Sequence, residues 1–347
     1  MKTIAKIASV LLALVFAMLS FAACGKTETP DATTASGENT TAASDTQTAV
    51  KKIGVIQYVS HPSLDNCYAG VEAALKERFG DNAEINRQIG SDTSADTDCA
   101  AYAKQFAAQD YDMIVAIATP AASSAVAAAE DKDIPVVFCA VSDPMAVGLV
   151  ESMEKPGYNC SGTSDVLDMA AQVKLIRAMQ PDVKKIGVLY TTSEANSITQ
   201  LGLLEAAAKE YGIEIIASGI QNDADIPAAA TALAAKVDCF NNFTDNKVVN
   251  NLPVVLEATN AAGIPVYGSE IEQVKNGCLA SVSIDYVALG KVTGNMAADA
   301  LEGAKLADMA VKTISDATPV VNTDVLAAFG MTLPADYADI ETVTTNK

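Results

Sequence analysis

KIGVIQY, residues 52–58, and KIGVLY, residues 185–190, open two copies of one pattern. Each is a near-continuous apolar run, the composition of a strand buried on both faces of a parallel sheet. Further matches follow. CYAGVEAALKE (67–77) lies over QLGLLEAAAKE (200–210) without a gap, and IPVVF (134–138) answers IPVYG (264–268). NCSGTSD (159–165) resembles GCLASVSID (277–285), ending at Asp165 and Asp285. The simplest explanation is one αβ unit present twice.

Within each copy apolar runs alternate with helical patterns. In the first, MIVAIAT (113–119) and IPVVFCA (134–140) join KIGVIQY as strands, and Cys67, Val71, Leu75 and Phe79 share a helix face that ends at Gly80. In the second, EIIAS (214–218), CFNNF (239–243) and IPVYG are the further strands. Its first helix carries Ile198, Leu201, Leu204 and Ala208 on one face and ends at Gly212. Alternating strands and helices predict an α/β protein of two doubly wound lobes. Ligands of such sheets bind beyond the carboxyl ends of the strands, so two facing lobes make a cleft.

The chain has 347 residues, half of them hydrophobic, enough for two lobes with sizeable cores. Its net charge of −20 argues against a nucleic-acid or polybasic membrane surface. Lys2 and Lys6 precede an uncharged apolar run from Ile7 to Ala23. That is the form of an export signal, too short and too near a basic start for a membrane span. Phe21-Ala22-Ala23-Cys24 resembles the bacterial lipoprotein cleavage box, with Cys24 as the lipid-bearing residue. The Thr-, Ala- and Ser-rich stretch after it, to about Val50, reads as a flexible tether. The expected location is therefore outside the cell membrane, held to it by lipid alone. The six later cysteines include no C-x-x-C pair, and with a single histidine, His61, no metal site or cofactor is expected.

Six polar loops leave strand ends: QYVSHPSLD (57–65), ATPAASS (118–124), AVSDP (140–144), YTTSEANS (190–197), FTDNK (243–247) and GSEIEQ (268–273). In ATPAASS, Thr119 reads as a helix cap and Pro120 as the first helical residue. The N–H groups of Ala121 and Ala122 then face the cleft as a seat for a small anion. With no Gly-rich phosphate loop, a carboxylate suits it better than a phosphate. Asp65, Asp143, Asp165, Asp245, Glu270 and Asp285 supply carboxylates for an ammonium, although helix capping explains many of them equally well. An anion seat opposite carboxylates suggests a zwitterion, an amino acid. A catalytic centre is not expected. There is no G-x-S-x-G, no H-E-x-x-H and no second histidine, and the one conceivable pair, Cys67 with His61, uses a cysteine on a buried helix face. His61 itself is either a cleft contact or a structural turn residue. Tyr58, Tyr190 and Tyr267 end strands and either stack on a ligand or fill the core.

KIGVIQYVSHPSLD, AIATPAASS, FCAVSDPMAVGLVESMEKPGYNCSGTSD, IGVLYTTSEANS, FTDN and SIDYVALGKVTGNMAADAL together resemble the lipoprotein solute-binding components of ABC importers. The likeness is to the subfamily associated with tryptophan and other aromatic amino acids. It implies a type I periplasmic-binding-protein fold, a three-segment hinge and closure over one ligand. It also implies a monomer that docks on permease subunits served by a separate ATPase. The implied divisions are a signal peptide (1–23), a lipidated linker (24–50), a first lobe (51–165 plus 286–314) and a second lobe (166–285 plus 315–340). By the same resemblance the cleft is lined by His61, Ser63, Leu64, Asp65, Thr119, Pro120, Ala121, Ser164, Asp165, Tyr190, Asn196, Thr244, Asp245, Asn246 and Glu270. Two departures stand out: Ser60, where an acidic residue is common, and Asn241 and Asn242 within an expected strand. Sugars, nucleosides and other small solutes are the alternative ligands.

Overall fold

The computed structural model describes residues 49–314 and 318–346. The signal segment, Cys24 and nearly all of the linker lie outside the described residues.

The two KIGV runs form the central strands of two sheets. In the first lobe these elements are β1 (Lys51–Gln57), α1 (Pro62–Phe79), β2 (Ala83–Ile89), α2 (Ala95–Ala108), β3 (Met113–Ile117), α3 (Thr119–Ala129), β4 (Val136–Cys139) and β5 (Cys160–Ser164). The second lobe follows with α4 (Met169–Met179), β6 (Lys185–Thr191), α5 (Ala195–Glu210), β7 (Glu214–Ile220), α6 (Ile226–Ala234) and β8 (Cys239–Asn241). It continues through α7 (Asn246–Asn250), α8 (Leu252–Ala262), β9 (Val266–Tyr267), α9 (Ile271–Lys275) and β10 (Ala280–Ser283). The chain then returns as α10 (Tyr286–Leu301) and β11 (Lys312–Thr313), and ends with β12 (Thr318–Asn322), α11 (Thr323–Ala328) and β13 (Glu341–Val343).

The first sheet is parallel throughout, in the order β11-β5-β4-β3-β1-β2. The second repeats the same winding as β7-β6-β8-β9, and a smaller sheet, β10-β12-β13, stands beside it. In both lobes the strand order reverses beside the KIGV strand, which opens a crevice at its carboxyl end. The glycine of each KIGV has a steric cause. A Cβ on Gly54 would lie 2.4 Å from the Phe106 ring of α2, and one on Gly187 would lie 2.9 Å from Val237. A side chain there would push the covering layer off the central strand.

The chain passes between the lobes three times: between β5 and α4, between β10 and α10, and between β11 and β12. On its return α10 lies directly against α1. A Cβ on Gly70 would meet the Val287 carbonyl at 2.2 Å, and one on Gly290 the Cys67 carbonyl at 2.1 Å. The backbones therefore touch, and the returning segment is locked into the first lobe.

One expectation changes and two open points are resolved. In α5, Leu204 and Ala208 are buried as the helical spacing predicts, but Ile198 is 52% exposed. The buried face of its first turns instead carries Asn196, Ser197 and Gln200, because that end of the helix abuts the cleft. Asn241 replaces an apolar strand residue for a reason. Its Oδ1 accepts from Gln172 Nε2 at 2.8 Å, and Gln172 also donates to the Gly268 carbonyl and accepts from Val282 N, each at 2.8 Å. One buried glutamine thus ties β8 to the chain at the ends of β9 and β10, where the two sheets of the second lobe meet. Finally, Tyr58 and Tyr267 are core residues, 2% and 0% exposed. The six described cysteines are buried free thiols.

Candidate functional site

A small polar cavity lies between the lobes. Its first-lobe wall is His61, Ser63 and Leu64 after β1, Ala118 and Thr119 after β3, and Ala140 and Ser142 after β4. Asn196, Thr244, Asn246, Val249 and Gln273 face them from the second lobe, with Asp165 and Tyr286 at two of the crossings. In this closed arrangement the free space is about that of a single water, so a larger ligand enters only as the lobes part.

Two alanines in this wall have backbones that L-residues rarely adopt. Ala118 has φ 82° and ψ 154°, and Ala140 has φ 57°. Such conformations cost about 1–3 kcal/mol each and persist where the surroundings over-determine them. Here the Ala118 N–H donates to the Cys139 carbonyl and its own carbonyl accepts from Ala122 N. The turn presents the start of α3 to the cavity. Helix α3 begins one residue earlier than the sequence suggested. Ala118, not Thr119, is the N-cap, and it has no side-chain oxygen to offer. The Ala122 N–H is consumed by Ala118, which leaves the first-turn N–H groups of Thr119 and Ala121 as the open end of the helix. The Thr119 hydroxyl is 4% exposed as a residue, lines the cavity and has no partner.

Other cavity-lining polar atoms are also unpartnered: His61 Nδ1, Asn196 Oδ1 and Gln273 Oε1. Buried polar groups without partners are rare, and several around one cavity mark it as a place for polar groups from outside the chain, whether water or ligand. Asp165 accepts from the Ser142 hydroxyl and the Tyr286 hydroxyl, both at 2.9 Å. Burial raises its pKa, against the lowering effect of those two bonds. A cation arriving beside it would favour its charged form and so offset the effect of burial. Burial also pushes His61 down to about 4, so the imidazole is neutral at physiological pH.

The lobes are already joined across the cavity rim. His61 Nε2 and Asn246 Oδ1 are 3.3 Å apart, Gln200 Nε2 donates to Ser142 Oγ at 3.0 Å, and Asn250 Nδ2 donates to Asp92 Oδ1 at 3.0 Å. Burial pushes Glu270 up to about 7, countered by bonds from the Glu272 and Gln273 N–H groups and from Ser63 of the first lobe.

The sequence-derived residues divide into two groups. His61, Ser63, Leu64, Thr119, Asp165, Asn196, Thr244 and Asn246 line the cavity together. Several others do not. Asp65 turns outward and pairs with Arg87 and Gln57. Asp143 bonds the Ala146 N–H, and Asp285, Glu270 and Asp245 cap α10, α9 and α7. Asp245 is fully buried and accepts from Thr191 N, Thr191 Oγ1, Ser197 Oγ and Val248 N, so its carboxylate is bonded within its own lobe. Ser164 donates to the Ser142 carbonyl, and Tyr190 lies over Gly219 of β7. Pro120 and Ala121 belong to the first turn of α3 behind Thr119. The sequence reading passed over Ala118, Ala140, Ser142, Val249, Gln273 and Tyr286. Ser142 sits inside the AVSDP loop and Gln273 ends the GSEIEQ loop, but nothing in the local sequence marks Tyr286. The suggested Cys67–His61 pair is not assembled. Cys67 is fully buried with its thiol against Cys139 and its pKa raised by desolvation, and His61 contacts Asn246.

Two doubly wound lobes, a three-segment hinge and a polar cavity between facing strand ends define a type I periplasmic-binding-protein fold. The chain belongs to the ABC transporter substrate-binding protein family, whose profile matches residues 52–339. It is 37% identical over 329 residues to a tyrosine-binding protein of Clostridioides difficile strain R20291, covering 94% of this chain and 92% of that one. Among solved structures it resembles an ABC domain in complex with L-Trp from Streptococcus pneumonia, at 35% identity and TM-score 0.81, covering 85% of this chain and all of that one. It also resembles a ligand-free, open substrate-binding protein with adhesive properties from Clostridium difficile, at 38% identity and TM-score 0.65, covering 86% of this chain and all of that one.

Proposed function

We propose that this chain is an extracytoplasmic lipoprotein that binds a free amino acid with an aromatic side chain and presents it to the permease of an ABC importer. The observation that carries the ligand class is the pairing of two unlike half-sites around one cavity. The uncapped start of α3, with the free Thr119 hydroxyl, suits a carboxylate. Asp165 and the acceptor atoms of Asn196 and Gln273 suit an ammonium. Leu64, Val249 and the Tyr286 ring supply apolar surface for a side chain. The tyrosine-binding relative and the L-Trp complex support the aromatic choice. The chain superposes more closely on that complex than on the open, ligand-free structure at similar identity, as a closed cleft would.

Transport follows from differential binding. The ligand bridges both half-sites only when the lobes close, so it stabilises the closed form that the permease reads. The ATPase is a separate chain, and the substrate-binding protein acts as a monomer anchored through Cys24. The domain limits remain those of the sequence reading, with lobes of residues 51–165 plus 286–314 and 166–285 plus 315–340. Thermal unfolding with a panel of amino acids, sugars and nucleosides tests the ligand class. L-tyrosine or L-tryptophan should raise Tm, and stabilisation by sugars or nucleosides alone would overturn it. Cys24→Ala should release the protein from the membrane; retention would refute the anchor.

A further inference from the structure

Glu194 is 2% exposed and stands just behind the second-lobe cavity wall. Its Oε2 accepts from three N–H groups: Asn246 N at 3.2 Å, Asn246 Nδ2 at 2.6 Å and Asn196 Nδ2 at 3.1 Å. The backbone N–H cannot be reversed, so it marks Oε2 as an acceptor whichever way the side-chain amides are assigned. The Asn246 amide must then present Nδ2 to Glu194 and Oδ1 to the opposite lobe. Oδ1 faces His61 Nε2 at 3.3 Å. An amide oxygen only accepts, so the imidazole proton resides on Nε2. His61 is neutral, since burial holds it near 4, and Nδ1 therefore carries a lone pair. That Nδ1 is buried and unpartnered, on a ring that lines the cavity.

We infer that Glu194 is a positioning residue which, through Asn246, holds His61 of the other lobe in its Nε2–H tautomer, so that Nδ1 serves as an acceptor for an N–H or O–H group of the ligand. The inference rests on the cavity being the ligand site. It adds a chemical selection: a ligand must bring a donor to His61 or leave a buried acceptor unpaired. It also makes the relay a closure sensor, because the Asn246–His61 bond exists only when the lobes meet.

The single histidine makes the test direct. Protein labelled with 15N-histidine gives one pair of ring nitrogen signals. With L-tyrosine bound at neutral pH, wild type should show a pyrrole-like Nε2 and a pyridine-like Nδ1 shifted in the direction of an accepted hydrogen bond, whereas the ligand-free protein, with the lobes apart, should show the two signals closer together. Glu194→Met removes the acceptor; the two nitrogen signals should move toward each other, and affinity for L-tyrosine should fall about tenfold. Glu194→Gln keeps an acceptor oxygen and should retain both the tautomer and the affinity. A proton on Nδ1 in the closed wild type overturns the inference. So does Glu194→Met with unchanged tautomer and affinity, or Glu194→Gln that loses affinity with the tautomer intact. If Glu194→Met fails to fold, the wild-type spectrum decides alone. If neither L-tyrosine nor L-tryptophan binds, the ligand reading has failed, while the tautomer with whichever ligand of the panel raises Tm still tests the relay.

Discussion

The helices α3 and α7 start within one residue of the same register in their two lobes, yet their first turns are built differently. β3 and β8 pair with the KIGV strands so that Thr119 and Asp245 occupy matching positions. In the second lobe Asp245 closes the helix start with its own carboxylate and is bonded on every side. In the first lobe the matching start has an alanine cap in a strained conformation and a threonine whose hydroxyl is left free. A duplicated unit has thus kept one helix end internally satisfied and left the other for something outside the chain. The second lobe also holds a buried polar network around Asn241, Gln200, Glu194 and Asp245.

The largest expected effect is on the closed side of this comparison. Asp245→Ala strands four buried donors, and stability should fall by about 3–5 kcal/mol. Denaturant unfolding measures it; weaker ligand binding with no loss of stability would mean that Asp245 serves the ligand after all. The KIGV glycines compare the two sheets directly. Gly54→Ala drives a methyl into the Phe106 ring and should cost up to about 3 kcal/mol, more than Gly187→Ala, where the neighbour is a side-chain methyl of Val237. Equal Tm losses would contradict the steric account.

A pH titration probes the buried acids. Burial, reinforced by the Asp245 carboxylate, pushes Glu194 up to about 8, and Glu270 lies near 7. An acid with a raised folded pKa holds its proton longer in the native state, so its stabilising effect is lost as pH rises. The depressed His61 pKa acts oppositely, but only below about pH 6.5, where the unfolded imidazole takes up its proton. From pH 6.5 to 8 the carboxyls act alone, and ligand-free stability should fall by about 2 kcal/mol. Tm measured across that window checks the sign; a rising Tm would contradict it. The smallest effect belongs to the open helix end. Thr119→Val removes the free hydroxyl at nearly constant shape, so ligand affinity should fall about tenfold with Tm of the free protein unchanged. Isothermal titration separates the two, and unchanged affinity would remove Thr119 from the ligand's contacts.

Much of the fold was legible locally. Apolar runs, the KIGV repeat and helical spacing are short-range signals, and they marked the central strands and the first helix of each lobe. Ile198 misled because its helix buries a polar face at the cleft, a fact that depends on the opposite lobe. The short strands β10 to β13 escaped for a similar reason. They are held by distant partners, as when β12 pairs with β10 antiparallel. At the site, loops after the strand ends were found because doubly wound topology places ligands there. Which acids cap helices and which face the cavity was not readable, since Asp165 and Asp245 look alike in sequence.

The sequence by itself determined the duplication, the alternation of strand and helix, the strand-end loops that form the cavity and the family likeness. These rest on periodicity and on residue types that act within a few positions of themselves. The tertiary structure alone decided which polar atoms are left without partners. That is a property of the whole set of neighbours. Thr119 is free because Ala118 takes the cap position, and His61 offers Nδ1 because Asn246 and Glu194, more than a hundred positions away in the chain, hold its other nitrogen.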